Sequence, residues 1–333
     1  MHKSKASRRQ YDWEAAALAG KRYGLLRRIL FLIALLILFA LDLFLFRGGN
    51  YMLLSMLMLI TFLLISFLRY EKKRPRAREM VLLSSMVALT VASNEICTHT
   101  IPLHAGTAMV ILSGISLGPG GGMMIGMLSR FLCNFYDGQG TWTPWQMAAW
   151  GLMGALAGLC FNKPLHKNST AYPTLAKRLS LTKDHNFRMV LGPLLMVLFS
   201  WILAYLSFLF RHTPHESFWG WRLYAFGAIG LLAGVFVQRK RLTADTITTT
   251  VFTFFMVLIV YGGIMNAASL LMQSSMSIGI ALNATELRNI YLTGLPYDLV
   301  HGAGAALVVF VFGDPLLARL ERIQTKYGIL IDL

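Results

Sequence analysis

The sequence predicts an all-α fold, a polytopic bundle of membrane helices, and three observations predict it. Apolar residues make up 56% of the 333 and fall in long unbroken blocks, without the alternation of half-buried strands. Charged residues are only 14%, against roughly 25% in soluble domains. Of the 31 Lys and Arg, 26 lie in segments that a single choice of orientation places on one side of a membrane.

Ten spans are expected, near 29–46, 51–68, 80–98, 104–118, 120–136, 146–162, 189–210, 221–238, 244–272 and 296–314. The basic start lacks a short apolar core with a small-residue cleavage site, so no signal peptide is expected and the first block stays as an anchor. With the amino terminus in the cytoplasm, the basic segments before 29, at 69–78, 163–188 and 239–241, and beyond Pro315 are all inside. Arg47, Arg211, Arg222 and Arg288 are outside, and Arg130 lies within a span. The expected location is therefore the cell membrane, multi-pass, with both termini cytoplasmic. The net charge of +16 reads as an orientation signal and not as a nucleic-acid surface, with membrane lipid head groups as the partners of the basic loops.

Four regions follow. Residues 1–78 form a basic tail, a transmembrane hairpin and a charged linker around Pro75. Residues 79–162 hold four helices rich in Gly, Ala, Ser and Met, 163–243 a helix pair with basic loops, and 244–333 two more helices and a tail. Residues 144–158 and 220–234 echo one another. Trp145, Ala149, Gly151, Gly154, Leu156, Ala157 and Gly158 match Trp221, Ala225, Gly227, Gly230, Leu232, Ala233 and Gly234. The echo fits either an internal repeat, as transporters often have, or the small residues that close helix packing favours.

Ala88 and Ala92, four apart on the third span, share one helix face and leave a shallow groove for a partner helix. Gly118-Pro-Gly-Gly-Gly122 predicts a tight turn; Met123-Met124 stand where a phosphate-binding loop needs Lys and Ser or Thr, so no nucleotide is expected. The stretch 135–146 predicts an outer loop with two large amphipathic faces, Trp142 and Trp145, and the polar partners Asp137, Gln139 and Gln146. Asn94, Glu95, His99, His104, Asn134, Asn266, Tyr297, Asp298 and His301 all fall near outer helix ends, and as a group they predict one polar vestibule. No helical His pair, GxSxG, HExxH or paired intramembrane aspartate occurs, so neither a metal, a cofactor nor a catalytic residue is expected. Cys97, Cys133 and Cys160 show no CxxC spacing and read as small packing residues.

Four places resemble the substrate-binding S component of energy-coupling factor (ECF) vitamin transporters: Ala88-xxx-Ala92, Gly140 through Gly154, Tyr261 through Asn266, and Gly294 through His301 continuing to Gly328. The last resembles the branch that includes cobalamin S components. The resemblance covers about 79–162 and 244–328. It implies a six-helix binding core, here with extra hairpins, that is not an enzyme. Such a subunit captures a vitamin, cobalamin being the guess within that, topples in the membrane, and releases it on ATP spent by its partners. Those partners are a transmembrane coupling subunit, docked on Ala88 and Ala92, and paired ATPases. It further implies loops 99–104, 137–146 and 273–297 around the pocket, Asn266 and Asp298 as leading polar contacts, and Trp142, Trp145 and Tyr297 as stacking faces. An integral-membrane lipid-modifying enzyme and an ion-coupled secondary transporter are the alternative readings.

Overall fold

A computed structural model describes residues 51–72, 75–100, 103–161, 184–210, 218–237, 244–276, 284–327 and 329. The first expected span, 29–46, its turn at 47–50, and most of the basic loops at 163–188 and 239–241 lie outside the described residues. The chain divides into two compact units, Met1–Leu54 and Ser55–Leu333, and the second contains all that follows apart from the first turn of one helix.

Every described element is a helix. In a low-dielectric core the backbone must pair within its own segment, which is why long apolar blocks wind into helices. The order is α1 Tyr51–Glu71, α2 Ala77–Thr100, α3 Ala105–Asp137, α4 Thr143–Cys160, α5 Asp184–Phe210, α6 Trp221–Val237, α7 Thr246–Phe255, a π-helical turn Met256–Tyr261, α8 Gly262–Met276 and α9 Ala284–Tyr327. Among the described residues, four stretches are long and apolar enough to cross a membrane: Ala77–Thr100, Ala105–Asp137, Thr246–Gln273 and Thr285–Gln324. These make the chain a helical membrane protein, with fewer such helices than the ten spans read from the sequence.

One of the four is bent back on itself. Gly118 has φ 77° and ψ 177°, a backbone state open to glycine, and Pro119 starts the second arm. In a straight helix Gly114 and Gly122 would be about 12 Å apart, at about 1.5 Å per residue. Instead, a Cβ on Gly122 would sit 2.5 Å from the Gly114 Cα. The arms at 105–117 and 119–137 therefore double back, with the turn where Gly118-Pro119 predicts it. Gly154 of α4 lies against both arms: a Cβ on Gly114 would meet its carbonyl oxygen at 2.1 Å, and one on Gly154 would meet the Gly122 carbonyl oxygen at 2.3 Å. Backbones touch here, so dispersion and not side-chain bulk joins the three segments.

The core is apolar and built from α3, α4, the π turn and α9, around Val110, Ile111, Leu112, Trp150, Met153, Phe161, Val257 and Val309. On α2, Leu82, Leu83, Met86 and Val87 pack inward with Ile125 and Leu320. Leu63 of α1 meets Met127 and Met147. α5 and α6 pack on one another and, through Val197, Leu223 and Tyr224, on Leu258 and Ile259 of the π turn. Both echoed helices use their second glycine for close approach to the helix before them. Gly154 meets Gly122 of α3, and a Cβ on Gly230 would lie 2.7 Å from the Val197 Cα of α5.

The end of the bundle that holds the Gly118 turn is cross-braced. The Gln324 amide donates to the Ser116 hydroxyl at 2.8 Å and to its carbonyl at 3.1 Å. Arg78 donates to the Tyr327 carbonyl at 2.9 Å, and the Thr246 hydroxyl donates to Asp314. Asp245 caps α7, accepting from the Thr248 backbone N–H at 3.0 Å.

Candidate functional site

The opposite end gathers buried polar groups from five segments. α9 contributes Asp298 and His301, 3% and 2% exposed. They lie three apart, on one face of the helix. His301 Nε2 is 2.9 Å from the Thr107 hydroxyl of α3. Its ring lies 4.1 Å from that of His104 and meets Tyr261 edge-on at 4.6 Å. Tyr297 stands 6.0 Å from both histidine rings. The Asp298 carboxylate accepts from the Asn266 amide of α8 at 2.8 Å and from the Tyr224 hydroxyl of α6 at 2.6 Å.

His104 is built into this cluster by an unusual backbone. It precedes α3 with φ 45° and ψ 46°, the left-handed region, which costs a branched-free residue on the order of 1–2 kcal/mol. Burial lowers its pKa below the ordinary imidazole value, so the ring is neutral at pH 7.

A second network joins the loop at 137–146 to α3. The Arg130 guanidinium donates to Asp137 at 2.9 Å and to Gln146 Oε1 at 3.0 Å. It also lies over the Trp150 ring, 5.3 Å from its centre. Asn134 donates to the same Gln146 oxygen at 2.9 Å and to the Thr143 hydroxyl at 3.0 Å. That hydroxyl donates to Gln139 Oε1 at 3.0 Å. The Trp150 ring also reaches the start of α3, where a Cβ on Gly106 would lie 2.8 Å from that ring and 2.6 Å from Asn94 Oδ1.

Among the residues expected at a vestibule, Asn94, Asn266, Tyr297, Asp298 and His301 come together at this end. Asp137, Gln139 and Gln146 also lie here, but they spend their polar atoms on bracing the loop. Trp142 is exposed and lies against Gly140, while Trp145 is half-buried. His99 does not join. α2 continues to Thr100, so His99 is helical and not in a loop; its side chain is 73% exposed and 3.8 Å from the Glu95 carboxylate. Tyr297, Asp298 and His301 likewise do not open a helix, since α9 starts at Ala284. Part of the 273–297 loop, at 277–283, and residues 101–102 lie outside the described residues. Ala88 and Ala92 are exposed on α2, on the face opposite Met86, Val87 and Thr90. None of the three cysteines forms a disulfide among the described residues.

Sequence reasoning missed Arg130 as a hub, and it missed Tyr224. For Arg130 a signal existed: Arg130, Asn134 and Asp137 have the spacing i, i+4, i+7 of a single helix face. For Tyr224 none did, because its contact with Asp298 joins residues 74 apart in sequence.

Several buried polar atoms of the cluster have no hydrogen-bond partner among the described residues, namely His301 Nδ1, Trp150 Nε1, Trp145 Nε1 and Asn134 Oδ1. Each unmet atom carries a penalty of about 1–3 kcal/mol, which a guest with matching groups would relieve. Aromatic rings and unmet polar atoms at one end of the bundle are the kinds of group that would suit a flat, polar-edged small molecule. No group of three or more metal-ligating side chains occurs among the described residues.

Residues 75–210 match a family model described as ECF-type riboflavin transporter, S component. The match shows the resemblance to an ECF S component and says nothing for the cobalamin branch. It covers less than half of the chain, takes in the 79–162 region of the resemblance, runs on to the end of α5, and leaves 244–328 unmatched. No curated protein and no solved structure matches the chain.

Proposed function

We propose that the chain is the membrane-embedded subunit that captures a vitamin or related micronutrient for an ECF-type importer. One observation carries the reading: a chain whose segment 75–210 matches an S-component family brings buried, partly unpaired polar groups, those of the unmatched 244–328 among them, to a single end of an apolar helix bundle. The other end is braced by Gln324, Arg78 and Thr246, so a ligand enters beside His301 and Asp298. On the positive-inside pattern that entrance faces the cell exterior and both termini are cytoplasmic.

In this reading α2, the two arms of α3, α4, the α7–α8 rod and α9 form the six-helix core. α1 and the α5–α6 pair are additions, and with 29–46 the chain crosses the membrane ten times. Asn266, Asp298, His301 and Tyr297 contact the substrate, with Asn94 and Trp150 beneath it and Trp142 and Trp145 at the rim. Ala88 and Ala92 receive the coupling subunit, which brings the paired ATPases. The name of the matching family favours a riboflavin-like ligand, and the carboxyl-terminal resemblance a corrinoid.

Mass spectrometry of the protein purified from cells grown in rich medium decides among these. A bound riboflavin-type or corrinoid compound supports the reading and selects the ligand. Material free of any bound small molecule, and failing to co-purify with an ECF coupling subunit and ATPases, would discard it.

A further inference from the structure

Asp298 is held from a helix outside the core. Its carboxylate is 3% exposed, and a carboxylate among apolar side chains persists only with donors aimed at it. Both donors that reach it converge on Oδ2. The Asn266 amide comes from α8 at 2.8 Å, and the Tyr224 hydroxyl from α6 at 2.6 Å. Two glycines make room for the pair. A Cβ on Gly262 would lie 2.5 Å from Asp298 Oδ2, and one on Gly294 would lie 2.2 Å from Asn266 Oδ1.

Tyr224 is itself fixed. It is 3% exposed and its ring meets Tyr291 edge-on at 4.8 Å. The Tyr291 hydroxyl in turn donates to the Gly263 carbonyl at 2.8 Å. α6 is tied to α5 next door, where the Trp201 indole donates to the Leu223 carbonyl at 2.9 Å. The hydroxyl therefore has one place to point, at an oxygen three residues along α9 from His301.

We infer that Tyr224 is a positioning residue for the binding site: its hydroxyl sets the orientation of the Asp298 carboxylate, which makes the α5–α6 pair a working part of the capture unit. The inference rests on the reading that Asp298 contacts the substrate. Asn266 alone would leave the carboxylate free to swing about one hydrogen bond. With Tyr224 it is held from two helices.

The test uses the full chain in lipid nanodiscs, with Tyr224→Phe, Asp298→Asn and the double variant. Phenylalanine keeps the ring contact with Tyr291 and removes only the hydroxyl. Infrared difference spectra between wild type and Asp298→Asn identify the Asp298 carboxyl band, and Tyr224→Phe is expected to shift it. An unmoved band overturns the inference, with or without a ligand. Riboflavin, followed by quenching of its own fluorescence, is the binding probe. Tyr224→Phe is expected to weaken its binding about tenfold, the loss of one hydrogen bond to a charged group, and to have no further effect in the Asp298→Asn background. Effects that multiply in the double variant would mean that Tyr224 acts independently of Asp298, against the inference. A wild-type protein that ignores riboflavin counts against the functional reading for that ligand, and the infrared band still decides the role of Tyr224.

Discussion

Arg130 holds a full charge on a helix otherwise apolar enough to cross a membrane, with its side chain only 12% exposed. Such a charge persists only where its donors are used, and this one is met by a carboxylate, an amide oxygen and a ring face. Arg130→Met is expected to destabilise the fold by about 2 kcal/mol, less than the roughly 3–5 of a fully buried broken pair, since Asp137 keeps some access to water. Thermal unfolding measures it. Hydrogen exchange should quicken at 138–142, the backbone that the network braces. Arg130→Lys is expected to fall between wild type and Met, because an ammonium can meet Asp137 but lacks the fork that also reaches Gln146. Equal effects of Lys and Met would show that the charge contributes nothing.

His104 gives a pH dependence with a defined sign. Burial favours its neutral form, so below the ordinary imidazole value of about 6.5 the unfolded chain binds more protons than the folded one. This part of the stability is complete above about pH 6.5 and is lost as pH falls toward and through the lowered folded pKa. Asparagine tolerates the left-handed backbone at this position. The unfolding midpoint of His104→Asn should therefore fall less than that of wild type between pH 7.5 and about 5. Parallel profiles would refute this assignment of the slope.

Among the elements, the doubled-back α3 shows what a sequence makes legible. Gly118-Pro119 announces the reversal, because the backbone state it needs is closed to most residues and proline supplies the start of the next arm. Apolar blocks likewise announce the helices. Helix ends were less legible: α2 runs past Asn94 to Thr100, and α9 begins before Tyr297, since polar residues can continue a helix wherever neighbours or water satisfy them. Half of the site was readable as a class of residue at a shared depth. Its pairings were not, because Thr107 with His301 and Tyr224 with Asp298 depend on how distant helices are rotated against one another. The glycine contact between α3 and α4 gives a prediction at this scale. Gly154→Val places side-chain carbon where the Gly122 carbonyl oxygen already lies at 2.3 Å from a Cβ, so the helices must part. The expected cost is 3 kcal/mol or about that, the upper end for overpacking. A variant that unfolds within a degree of wild type would mean that the arms do not touch there.

For the whole molecule the question is which surface remains for a partner once the chain has satisfied itself. α2 buries Leu82, Leu83, Met86, Val87, Thr90 and Asn94 and turns outward Ser84, Ser85, Ala88, Leu89, Ala92 and Ile96. The outward strip is flat where the alanines sit, since a methyl group is all that projects, and in lipid a second helix gains most by close approach to such a strip. Tryptophan at Ala88 would fill that strip while leaving the inward face untouched. An exposed substitution of this kind is expected to change stability by no more than about 0.5 kcal/mol. Ala88→Trp should therefore unfold with wild type and yet lose co-purification with the coupling subunit. Leu89→Ala, which trims the neighbouring position without raising it, should keep the association. Retained association in the tryptophan variant would move the docking surface off α2. Joint loss of association and thermal stability would instead place Ala88 within the fold's own packing.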